Sequence, residues 1–206
     1  MLQVNYRGSG NYGHAFEAAG YRNWGGSMQD DLTDATRWAI AQGIADPARV
    51  CIYGRSYGGY AALMGAAREP GLYRCAAGDI GVYDMEMMHR SGDIARHAFG
   101  KNYLKEVLGN DELAAISPSR LADRITAPVF LSAGGKDQRA PARHTELMRD
   151  ALLRAGRQVE ATIYPNEGHG YFTMEARTDY HTRLLAFFDR HLGRGAAAPA
   201  AAPSSD

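Results

Sequence analysis

The sequence predicts an α/β fold: a mostly parallel sheet with helices on both faces. Three observations lead there. Short apolar runs of strand length recur at residues 50–53, 75–78, 129–133 and 160–164. Between and after them lie longer segments suited to helices, at 60–68, 142–155 and 173–192. Glycine, proline and aspartate punctuate the joins, and strands that alternate with helices are the pattern of a parallel sheet.

The chain has 206 residues, enough for one domain with a sizeable core. Its 23 basic and 23 acidic residues cancel, and no basic stripe stands out, so nucleic acid is not expected as a partner. No apolar run approaches the length of a membrane span, and the first residues show no charged-then-apolar leader. Cys51 and Cys75 sit in or beside apolar strands. With neither metal-site spacing nor a disulfide framework, they read as buried thiols. The compartment stays open.

Taken in order, residues 2–6 read as a first strand, followed by the glycine-rich loop of residues 8–13. That loop has the bare spacing of a phosphate cradle but no helix start or later acidic partner, so a dinucleotide site is not expected. Ser27 and Asp30 look like a capping signal for a helix to about residue 42, with Met28, Leu32, Ala35 and Ala39 on one face. Asp46-Pro47 turns the chain into the next strand.

That strand runs into Gly54-Arg55-Ser56-Tyr57-Gly58, and a helix follows. A Gly-x-Ser-x-Gly between strand and helix places the serine on a sharp turn with Oγ exposed. Both glycines are expected where the strand and helix backbones converge. The backbone N–H of Tyr57, at the helix start, is the expected oxyanion donor. Residues 83–126 show weak periodicity and read as short helices covering a sheet edge. Within them Phe99 and Tyr103 read first as core packing and second as walls of a substrate pocket.

Asp137 follows the strand of residues 129–133, and His169 follows that of residues 160–164. Catalytic groups of such sheets gather beyond the carboxyl ends of the strands, so Ser56, Asp137 and His169 should meet there. The order Ser, Asp, His is that of the α/β-hydrolase fold. His169 is expected to act as the base and Asp137 to orient its ring. Asp79 and Asp84 are the competing acids. No histidine or cysteine pair has metal-ligand spacing, so no metal is expected.

The stretches Gly54-Arg55-Ser56-Tyr57-Gly58-Gly59-Tyr60, Gly135-Lys136-Asp137-Gln138-Arg139-Ala140-Pro141 and Tyr164-Pro165-Asn166-Glu167-Gly168-His169-Gly170 together resemble the catalytic domain of the prolyl oligopeptidase family. The nearest flavour is its acylaminoacyl-peptidase and dipeptidyl-peptidase branch. Asn5-Tyr6-Arg7-Gly8-Ser9 resembles the stretch after an earlier strand there, so the likeness covers about residues 2–193. It implies an α/β-hydrolase fold that cleaves short peptides by acyl transfer through a seryl intermediate, with no cofactor. The family's β-propeller and its His-Gly-Gly-Pro-like loop have no counterpart in this chain. Residues 2–6 would be the fourth strand of the fold, and the third, its neighbour, is absent. The expectation is therefore an N-terminally truncated catalytic domain over residues 1–193, with residues 194–206 a disordered Ala/Pro/Ser-rich tail. Its partner would be the missing N-terminal segment or a second copy of the chain. An esterase-type hydrolase and an inactive remnant are the alternative readings.

Overall fold

The structure, a computed structural model, describes residues 1–193; the stretch expected to be a disordered tail lies outside the described residues. Four strands form one parallel sheet in chain order: β1 (Cys51–Arg55), β2 (Cys75–Asp79), β3 (Val129–Gly134) and β4 (Val159–Tyr164). Helix α3 (Tyr57–Arg68) links β1 to β2, and α6 (Arg143–Arg154) links β3 to β4. Helix α7 (Met174–Leu192) follows the last strand.

Alternation along β3 divides the core into two layers. Val129 and Leu131 face Leu63 and Ala66 of α3 and Met148 and Leu152 of α6. Phe130, on the opposite side, faces Tyr180, Leu184 and Phe187 of α7. Every residue of β2 and β3 is buried, as parallel strands with both faces covered must be. Helices on both faces of a parallel sheet are the expected architecture.

Several local expectations are corrected. Residues 2–6 form no strand: with no neighbouring strand, their backbone groups have no ladder to join. Instead Ser9 N–H donates to the Tyr6 carbonyl, closing a turn. Before β1 the chain is otherwise turns, the short α1 (His14–Ala18), α2 (Ser27–Ala41) and one 3-10 turn at Pro47–Arg49. Gly26, not Ser27, occupies the N-cap of α2, with no side-chain cap. The segment read as an edge cover holds α4 (Met85–Met88) and α5 (Ala98–Leu108). They pack with Tyr60, Ala61 and Met64 of α3 rather than along a sheet edge.

The cysteines are not free thiols. In the parallel register of β1 and β2, Cys51 stands directly opposite Cys75, with Cα atoms 4.7 Å apart, and the two are joined as a disulfide.

Candidate active site

Ser56 occupies the single residue between the end of β1 and the start of α3. Its backbone, with φ 55° and ψ −118°, is one that few residues with a Cβ adopt. The turn is sharp enough that a Cβ on Gly54 would overlap the backbone of Gly58. Gly58 itself has open space around its own Cβ position. The second confined glycine is instead Gly59, whose Cβ would lie 3.1 Å from both the Asp79 carbonyl oxygen and the Gly81 Cα. From the neighbouring strand, the Asp79 carbonyl accepts the Ser56 N–H at 2.9 Å. Strain at the serine is thus held by contacts on both sides.

Asp137 lies in the loop after β3, and its side chain is fully buried. One carboxylate oxygen accepts the N–H groups of Arg139 and Ala140, at 2.8 and 2.9 Å. The other lies 2.8 Å from His169 Nδ1. On the far side of the ring, His169 Nε2 lies 3.0 Å from Ser56 Oγ. The three sequence-predicted residues therefore form one hydrogen-bonded chain beyond the carboxyl ends of β1, β3 and β4. The His169 side chain is about one-third exposed, so the chain is open to solvent at its histidine.

Neither competing acid faces the histidine. Asp79 accepts from Arg55, Ser132 and Tyr171. Asp84 caps α4 by accepting the Met87 N–H at 2.8 Å. A further acid, Glu167, belongs to the histidine stretch but has no role that the sequence assigns. It is buried two residues before His169, where one oxygen accepts the Phe172 N–H at 2.7 Å and the other the hydroxyl of Thr173. Those donors hold its carboxyl below the usual carboxylate range and close the loop around the histidine.

Tyr57 begins α3, so its N–H has no partner within the helix and is free to meet a negative oxygen near Ser56. The Tyr57 ring packs against Trp24 and Tyr6, at centroid distances of 4.5 and 5.2 Å. It lines a cavity of about 220 Å³ together with Tyr6, Glu17, Tyr21, Trp24 and Tyr103. Tyr103, 44% exposed, is thus a cavity wall rather than core. Phe99 is 84% exposed and does not line that cavity, so neither role expected of it is seen.

The profile of the prolyl oligopeptidase family matches residues 1–195. The chain belongs to that family. Among prolyl oligopeptidase relatives, it is 31% identical to dipeptidyl aminopeptidase BIII of Pseudoxanthomonas mexicana over 199 residues, which is 94% of this chain and 29% of that protein. It is 30% identical to dipeptidyl peptidase family member 6 of Caenorhabditis elegans, covering 94% of this chain and 27% of the relative. A Mycobacterium tuberculosis puromycin-hydrolyzing peptidase superposes with a TM-score of 0.86 at 29% identity, over 92% of this chain and 29% of that one. The chain thus spans less than a third of the length of these relatives. Its fold is that of the family's α/β-hydrolase peptidases.

Proposed function

We propose that residues 1–193 form a serine peptidase catalytic unit that hydrolyses short peptides by acyl transfer, with Ser56 as nucleophile, His169 as general acid–base and Asp137 as its orienting acid. The observation that carries this reading is the continuous Asp137–His169–Ser56 hydrogen-bond chain, with both contacts at or below 3.0 Å. Peptide rather than ester is chosen because peptidases are what the relatives are named for.

The chemistry runs in two halves. As Ser56 Oγ attacks the peptide carbonyl carbon, its proton passes to His169 Nε2. Asp137, locked by two backbone N–H groups, keeps the Nδ1 proton on its own side and stabilises the imidazolium. The carbonyl oxygen takes up the negative charge and meets the Tyr57 N–H. Collapse breaks the C–N bond, and the amine leaves with the proton from His169. Water then adds to the acyl-serine, gives its proton to His169 and releases the carboxylic acid, returning Oγ–H to Ser56.

A fluorophosphonate probe tests the assignment. The purified chain should be labelled and Ser56→Ala should not. Labelling that persists in Ser56→Ala would place the reactive group elsewhere; a folded wild type that takes no label would sink the reading.

A further inference from the structure

We propose that Asp79 is a positioning residue that ties the nucleophile turn to the histidine loop and so sets the Ser56–His169 distance. This rests on the peptidase reading for its rate measurement, but not for its structural one.

Asp79 ends β2 and is 1% exposed. In the register of the sheet it stands opposite Arg55, the residue just before Ser56. One carboxylate oxygen accepts Arg55 Nε at 2.6 Å. The other accepts the Tyr171 hydroxyl at 2.6 Å and the Ser132 hydroxyl at 2.8 Å. Its backbone carbonyl takes the Ser56 N–H at 2.9 Å. One residue therefore grips Arg55 and Ser56 on one side and, on the other, the residue two beyond His169. Ser132, on β3, fixes the carboxylate between them.

The site has reason to need such a post. His169 sits between two glycines, and Gly170 has φ 152°. The loop keeps its internal shape through Glu167, but that carboxylate reaches only Phe172 and Thr173, within the same loop. The Asp79–Tyr171 bond joins the loop to the strand beside the nucleophile. A displacement of about 1 Å at a reacting pair is enough to slow a reaction roughly a hundredfold. A carboxylate that served only to neutralise Arg55 would not require the tyrosine.

The test uses Asp79→Asn and Tyr171→Phe, with Tyr164→Phe as control. The Tyr164 ring packs 4.7 Å from that of Tyr171, but its hydroxyl donates to Asp179 instead. Two quantities are measured: the second-order rate of fluorophosphonate labelling and the ¹⁵N signals of the His169 imidazole. Asp79→Asn and Tyr171→Phe should each label on the order of tenfold to a hundredfold more slowly, with their effects non-additive in the double variant. Both should shift or broaden the His169 signals, while Tyr164→Phe changes neither quantity. Should Asp79→Asn fail to fold, Tyr171→Phe alone decides. If Tyr171→Phe labels at the wild-type rate with unchanged imidazole signals, the tie does not exist. If the wild type itself takes no label, the peptidase reading falls and the signals alone decide: a shift in the variants supports the tie, and no shift overturns it.

Discussion

The two flanks of β1 are built by different means. On one side β2 runs beside it in register, the Cys51–Cys75 disulfide joins the two strands near their starts, and Asp79 grips the turn at their ends. On the other side no strand among the described residues pairs with β1, so its outward N–H and C=O groups face no ladder there. The segment before β1 is turns and short helices, with α2 packed beside α3, and it is held by the Arg7–Asp31 ion pair and by the close approach of Gly8 to Gly20. It also leaves polar atoms stranded. Both amide atoms of Gln29 are buried with no partner among the described residues. Asp137 and His169 come from the strand-paired flank. The Tyr57 ring, beside the proposed oxyanion donor, is packed by Tyr6 and Trp24 from the segment before β1. The Ser56 turn is thus held through strand register on one side and by packing and an ion pair on the other.

The largest expected effect tests the strand-paired flank. Asp137→Asn preserves shape but favours the wrong imidazole tautomer, and labelling should slow by about four orders of magnitude with the fold unchanged. A drop of less than tenfold would mean that the hydrogen-bond chain is not what activates Ser56.

Next comes the disulfide. Its ends are 24 residues apart in the chain, so replacing both cysteines by serine should cost about 3–4 kcal/mol of stability, read from urea midpoints. An unchanged midpoint would show that register alone secures that flank.

A pH series probes His144, which burial holds down to about 4. It is 1% exposed, and its Nδ1 accepts the N–H groups of Tyr83 and Asp84. Because the folded pKa lies below the unfolded value of about 6.5, the neutral ring contributes stability above pH 6.5 that is lost as pH falls toward 4. The loss should reach on the order of 3 kcal/mol, and a flat profile across that window would contradict the burial effect.

The smallest effect belongs to the open flank. Gln29→Met should raise stability by about 1 kcal/mol, because an unpaired buried amide is replaced by an apolar chain of similar size. A loss instead would mean that something satisfies the amide in solution.

Much of the site was legible because its signals are local. The Gly54–Gly58 turn, the aspartate after β3 and the histidine after β4 each carry their meaning within a few residues. What escaped depends on pairing between distant segments. No sequence pattern states that Cys51 faces Cys75, since that follows from the register of two parallel strands. Asp79 looked like a rival acid because its position after an apolar run was visible, while Arg55, Ser132 and Tyr171, its partners, lie far away in the chain. Residues 2–6 alternate as a strand should, but a strand exists only with a neighbour. Gly58 was credited with crowding that belongs to Gly54 and Gly59.

The spatial order of the strands, which matches their order in the chain, has a consequence during synthesis. As the polypeptide leaves the ribosome, each new strand can add to the exposed side of the last without displacing any earlier one. The serine emerges first, its acid later, and the histidine loop only after the fourth strand. A half-made chain therefore carries Ser56 with no imidazole beside it, and the Asp137–His169–Ser56 chain is completed only when the segment after β4 docks.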